Sequence, residues 1–217
     1  MTPERFRKLR EVLLRRQPDL TLLMERVNKP HNFSAILRSC DAAGVFRAHV
    51  VLPERGIGVH AGIAAGATRW VPVTEHDSTD AAFRALRSEG VRLLAAHPGP
   101  AARDYREIDY TEPTCLVMGA ELHGVSDTAL ESVDAQVVIP MEGFVHSLNV
   151  SVAAAILLAE AREQRARVGM YDASRLDPET FDRTLFEWAY PKAARRFTRE
   201  GRDYPTLDDD GCWVRGN

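Results

Sequence analysis

Long apolar runs are scarce in this chain of 217 residues. The longest, Val150 to Ala159, is interrupted by Ser151 and ended by Glu160, well short of the ~20 apolar residues that span a bilayer. The N-terminal stretch MTPERFRKLREVLLRRQ is charged throughout and lacks the apolar segment of a signal peptide, so a cytoplasmic protein is expected. Cysteine is scarce too. Cys40, Cys115 and Cys212 are odd in number and form no Cys-x-x-Cys pair, so neither a disulfide framework nor a zinc site is implied. Cys40 and Cys115 read as small buried hydrophobes. No His-x-x-x-His pair or carboxylate cluster accompanies the seven histidines, so no metal is expected. Gly-x-Ser-x-Gly and Gly-x-x-x-x-Gly-Lys-Ser/Thr are also missing, which leaves hydrolase and nucleoside-triphosphatase chemistry without its machinery. One glycine pattern does occur: GIGVHA at 56–61 fits Gly-x-Gly-x-x-Ala, with Glu75 near the distance of a ribose-binding acid. Pro53-Glu54-Arg55, however, separates it from the preceding strand. The following GIAAGATR is too short and glycine-rich for the crossover helix that a dinucleotide site requires.

What the chain does have is a globular balance of 45% hydrophobic and 27% charged residues. The net charge of −3 is unevenly spread. Residues 1–30 carry eight basic against four acidic side chains, and PKAARRFTREGR at 191–202 carries five against one. Basic ends on an acidic body suggest two patches for a polyanion such as nucleic acid, with solvated helix faces as the alternative.

Periodicity predicts an amphipathic helix over 3–16, with Phe6, Leu9, Leu13 and Leu14 on one stripe. Strands are expected at 20–27, 48–53, 70–74, 91–97, 114–119 and 135–140. Helices are expected at 29–44, 78–89, 126–133 (capped by Ser126) and about 150–167. Strands alternate with helices, so the class is α/β: a parallel sheet flanked by helices. The strands are apolar enough to be buried on both faces. Beyond about residue 169 the chain turns aromatic and charged, which reads as a helical extension. The expected organisation is a basic helical extension at 1–19, a core domain at 20–168 and a basic helical extension at 169–217.

Three segments concentrate polar residues against apolar elements. In the helix at 29–44, Asn32 suits an N-cap or a ligand contact. Arg38 sits in an otherwise small and apolar stretch, where it has Asp41 as a possible helical partner. In MGAELHGVS (118–126), Glu121 lies between Gly119 and Gly124 after a buried strand, where ligands bind in open α/β sheets. In IPMEGFVHSLNVSVAAA, another strand ends in a polar knot, and Ser147 or Asn149 is placed to cap the helix that follows. Backbone groups in such a loop can read a nucleoside.

NFSAILR, GAELHGVS and IPMEGFVHSLNVSVA resemble the three motifs of the SPOUT superfamily of RNA methyltransferases, and more narrowly those of the TrmH family of tRNA ribose 2′-O-methyltransferases. The resemblance extends over nearly the whole chain, through RRQPDLT, REIDYT, GMY and the basic C-terminus. It implies a deep C-terminal trefoil knot that binds S-adenosylmethionine (AdoMet), and a homodimer with its active site at the subunit interface. The implied reaction is methylation of the ribose 2′-hydroxyl of a guanosine in the tRNA D-loop, guanosine 18. Ribosomal RNA as the target, or RNA binding without catalysis, are the alternatives. By the same resemblance Arg38, Asn32, Glu121, Ser147 and Asn149 are catalytic. Ala96, His97, Gly119, Ile139, Met141 and Leu148 contact AdoMet. Arg5, Lys8, Arg15, Arg16, His31, Lys192, Arg195, Arg196 and Arg199 contact tRNA. Glu142 and His146 depart from the family pattern, in a position where an apolar residue and an uncharged amide would be less surprising.

Overall fold

Strand β1 (Leu20–Glu25) is buried at every position, as are β2 (Ala48–Val51) and β6 (Thr114–Met118). With β3 (Val73–His76), β4 (Arg92–Ala96), β5 (Arg103–Asp104) and β7 (Ala135–Val138) they form one parallel sheet in the order β3-β2-β1-β6-β4-β7-β5. The structure, a computed structural model, describes residues 1–53 and 69–214. The glycine pattern at 56–61 lies outside the described residues. The chain divides into two compact units, residues 17–168 and a second made of residues 1–16 with 169–217. The terminal segments, read from sequence as two extensions, thus belong to one unit.

In the sheet unit, alternation along the strands sends side chains to two cores. Leu22, Met24, Leu116 and Met118 join the core formed with α2 (Pro30–Ala42) and α5 (Val150–Arg167). Leu23, Cys115 and Val117 join the opposite one, with α3 (Thr79–Ser88) and α4 (Asp127–Leu130). Burial pushes the Cys115 thiol far up, so it packs as a hydrophobe. Helix starts follow local chemistry: Ser78 and Ser126 accept from Ala81 N and Ala129 N, capping α3 and α4. Two expectations are corrected. The third strand begins at Val73 rather than residue 70, because Pro72 has no N–H to give the ladder. Asn32 is not a cap: Lys29 holds that position, Pro30 fills the first turn, and Asn32 lies buried inside it. The short β5 and the 3₁₀ turn after it (Tyr105–Glu107) were not expected; two residues carry no periodicity.

A buried arginine ties this unit together. Arg165 is fully buried on α5 and donates to Tyr110 O, Gln17 Oε1, Asp19 Oδ1, Asp19 O and Glu112 O. It clasps the chain before β1 to the segment before β6, with its charge paired to Asp19 at 2.6 Å.

In the terminal unit, α1 (Pro3–Leu14), α6 (Pro178–Ala189) and α7 (Pro191–Glu200) start at Thr2, Asp177 and Tyr190. Phe186 is ringed by Tyr190, Phe197, Tyr204 and Trp213. Lys192, Arg195, Arg196 and Arg199 fall three and four residues apart on α7 and are all exposed, which makes one basic stripe opposite Ala194 and Phe197.

Candidate active site

The turn after β6 is built by two glycines. A Cβ on Gly119 would stand 2.0 Å from the Gly124 carbonyl carbon, so only glycine lets the chain double back. Gly124 turns with φ 68°, and Ala120 and Gly124 exchange backbone hydrogen bonds of 3.0 and 2.8 Å. Glu121 stands at the tip of this turn and reaches the entrance of α2. Its Oε1 accepts from Asn32 Nδ2 at 2.7 Å and from Lys29 N at 3.2 Å, and its Oε2 accepts from Asn28 N at 3.1 Å. Burial raises the pKa of this carboxyl, but the hydrogen bonds from Asn32, Asn28 and Lys29 outweigh it, and the net shift is downward. Glu121 is therefore a charged anchor at neutral pH.

The network continues. Asn149 Nδ2 donates to Asn32 Oδ1 at 3.2 Å, and Asn149 Oδ1 accepts from Ser151 N at 2.8 Å, which caps α5. The fold thus brings together Asn32, Glu121 and Asn149 from three distant segments. It does not join Ser147 or Arg38 to them. Ser147 is exposed two residues before the cap and makes no hydrogen bond among the described residues. Arg38 is exposed six residues along α2 from Asn32, a rise of ~9 Å. It has no hydrogen bond or ion pair among the described residues, so the pair with Asp41 is not formed.

Beside the network lie the carboxyl ends of β6, β4 and β7, neighbours in the sheet. Gly119, then Ala96 and His97, then Ile139 end these strands, and His97 N donates to Val137 O at 3.1 Å. Residues 141–148 make no hydrogen bond among the described residues, so their backbone donors and acceptors are free. Met141 and Leu148 are half-buried in that loop, whereas Phe144, Val145 and, from the neighbouring turn, Leu122 are exposed. An apolar rim around unpaired backbone groups at strand carboxyl ends is a site for an amphipathic ligand such as a nucleoside. Among the described residues no group of three metal-ligating side chains occurs.

Of the cations expected to meet RNA, Arg5, His31 and the α7 stripe are exposed. Lys8 and Arg15 are exposed and both pair with Glu11. Arg16 is a correction: it is 1% exposed, with its guanidinium 5.3 Å from the Trp188 ring centroid, so it cannot meet a phosphate at the surface. Sequence reasoning missed Ser151, which had no signal apart from the cap beside it. It also missed Glu25, buried and hydrogen-bonded to Thr79 and Ser126, although a carboxylate closing an otherwise buried strand was legible.

Comparison with known proteins bears on this site. Residues 19–159 match the SpoU rRNA Methylase family, and residues 163–215 match its C-terminal family, "SpoU, rRNA methylase, C-terminal". A tRNA (guanosine(18)-2′-O)-methyltransferase of Thermus thermophilus is 50% identical, over 86% of this chain and 96% of its own. One of the same name from Escherichia coli K12 is 46% identical, over 97% and 93%. The crystal structure of the A. aeolicus TrmH/SpoU tRNA modifying enzyme superposes with a TM-score of 0.79 at 40% identity, over 87% of this chain and 96% of that one. The Streptomyces viridochromogenes SpoU methyltransferase AviRb, solved in complex with AdoMet, gives a TM-score of 0.61 at 28% identity, over 70% and 62%.

Proposed function

The chain belongs to the SpoU methylase family, in its TrmH branch, and from that premise we infer that it methylates the ribose 2′-hydroxyl of guanosine 18 in tRNA. AdoMet is the methyl donor. The observation that carries the reading is the joining of all three motif segments in one network, Glu121 to Asn32 to Asn149, at the edge of the strand-end cradle.

The cradle suits AdoMet. Leu122 and Leu148 offer apolar surface, and residues 141–148 supply free backbone groups for an adenine or a carboxylate. Ala96, His97, Gly119, Ile139, Met141 and Leu148 hold the cofactor, which when bound supplies an electrophilic methyl group. Transfer to a hydroxyl is an in-line displacement governed by positioning. Glu121 is ionised and accepts three hydrogen bonds at the entrance of α2, which it holds in place. The Arg38 guanidinium is a fixed cation that cannot act as a base; it binds the adjoining phosphate and stabilises the developing alkoxide, and the ribose proton passes to a phosphate oxygen or to water. Asn149 orients the reacting ribose, the buried Asn32 holds Asn149 in place, and Ser147 walls the pocket.

Three finer assignments complete the reading. The trefoil knot is supported by the placement of β7 between β4 and β5 and by the packing of α5 on α2. The homodimer is supported by the exposed Leu122, Phe144, Val145 and Val152, an apolar surface beside the site that a second copy would cover. The tRNA-binding role is supported by the exposed Arg5, Lys8 and Arg15 of the N-terminal segment, the α7 stripe and His31. Among the described residues no helix is long and apolar enough to cross a membrane, and we place the enzyme with its tRNA in the cytoplasm.

Incubation with methyl-labelled AdoMet and total RNA tests the reading. Label in tRNA at guanosine 18 supports it. Label confined to ribosomal RNA would redirect the same chemistry, and cofactor binding without transfer would leave an RNA-binding protein.

A further inference from the structure

We propose that Ser151 is a positioning residue for methyl transfer, setting the amide orientation of Asn149 and, through it, that of Asn32. This rests on the assignment of the network as the active site. Both ends of the network are one-directional. At one end the Glu121 carboxylate can only accept, so Asn32 must turn its NH₂ to it. At the other end Ser151 N can only donate, so Asn149 must turn its oxygen there and its NH₂ to Asn32 Oδ1. A flip of either amide sets donor against donor or leaves a carboxylate lone pair unpaired. The polarity of the whole chain is therefore unique.

Capping α5 needs only the backbone N–H. The Ser151 hydroxyl adds a second donor to the same oxygen, Oγ to Asn149 Oδ1 at 2.6 Å. That bond is surplus to the cap. Its effect is to hold Asn149 Oδ1 from two sides, so one Asn149 N–H goes to Asn32 and the other is left, among the described residues, without an acceptor. The free N–H is what an oriented amide offers a ribose oxygen. Asn32 is 1% exposed and cannot reorient independently of its partners. Ser151 thus acts on the reacting group at second hand, by restricting Asn149, whose free N–H faces it, and through Asn149 the buried Asn32.

The test compares Ser151→Val with Ser151→Thr, which are alike in shape and differ in the hydroxyl. Loss of one neutral hydrogen bond from the array predicts a fall in kcat of about tenfold for Ser151→Val. KM for tRNA and Kd for AdoMet should stay within about twofold, since neither ligand is bound by the hydroxyl. Ser151→Thr should recover most of the lost rate. In an Asn149→Ala background, Ser151→Val should have no further effect. The side-chain amide resonances of Asn32 and Asn149 give a readout independent of activity: both move in Ser151→Val and return in Ser151→Thr. An unmoved Asn32 resonance, equal impairment of the two variants, or an additive effect in the Asn149→Ala background would overturn the proposal. A wild-type protein that transfers no methyl group, but whose amide resonances respond as stated, would overturn the active-site assignment and leave the relay intact.

Discussion

Asn32 donates its side-chain amide to Glu121 across 89 residues of sequence, at 2.7 Å. That contact joins the start of α2 to the turn after β6, and Asn28 N and Lys29 N fasten to the same carboxylate. The two amino-acid segments have no local reason to meet; the parallel pairing of β1 with β6 puts their carboxyl ends side by side.

Glu121→Gln keeps the shape of this anchor and removes its charge. Hydrogen bonds to a charged acceptor stabilise by about 2 kcal/mol each, so part of that stabilisation is lost and the entrance of α2 loosens. The expected outcome is a fall in kcat of more than about tenfold with lowered thermal stability, measured by steady-state kinetics and calorimetry. Unchanged kcat would remove Glu121 from the site.

Arg38→Ala should lower the transfer rate by about a hundredfold or more while AdoMet affinity is retained, if the guanidinium serves the developing alkoxide and its phosphate as proposed. Isothermal titration with AdoMet, beside a single-turnover assay, separates the two effects. Loss of cofactor binding would show that Arg38 belongs to the AdoMet cradle.

Arg16 and Arg196 should part company in salt. Replacing a cation of the α7 stripe proposed to bind phosphate, as in Arg196→Gln, should reduce the slope of log affinity for tRNA against log salt by about one. Arg16→Gln should leave that slope alone and lower stability instead, because Arg16 is buried near Trp188. Filter binding of tRNA at several salt concentrations, with urea unfolding of both variants, checks the pair.

His49 and His76 face each other at 2.9 Å across β2 and β3. Burial, with a lesser contribution from the charge of His76, lowers the His49 pKa from 6.5 to about 4. The folded state therefore resists a proton that the unfolded chain takes up near 6.5, and stability is full above that pH and falls as pH drops toward 4. The loss is on the order of 2–3 kcal/mol for a group this buried. In His49→Gln that component is absent, so the stability gap between wild type and variant should narrow from pH 7 to pH 4.5. A gap independent of pH contradicts this.

Much of this was legible before any coordinates. Short apolar runs bounded by turns placed the strands, because β1, β2 and β6 bury both faces. Ser126 and Asn149 announced helix starts through side chains short enough to reach the next turn. The meeting of Asn32 with Glu121 was not legible from periodicity, since strand order is a property of pairing and not of any one segment; motif resemblance alone put them together. Arg16 misled because a basic stripe at a helix end reads the same whether or not an aromatic ring covers it. Arg165 was readable in principle: it continues the buried stripe of Ala154, Leu157, Leu158 and Ala161, and a charge at that phase needs buried partners. Its five acceptors, three of them backbone carbonyls, have no sequence signature.

The most direct test of the account is nucleoside analysis of a tRNA transcript treated with the enzyme and AdoMet, beside a transcript carrying 2′-deoxyguanosine at position 18. The account predicts 2′-O-methylguanosine from the first and no transfer to the second. Equal methylation of the deoxy transcript, or a methyl group on the base, would contradict it.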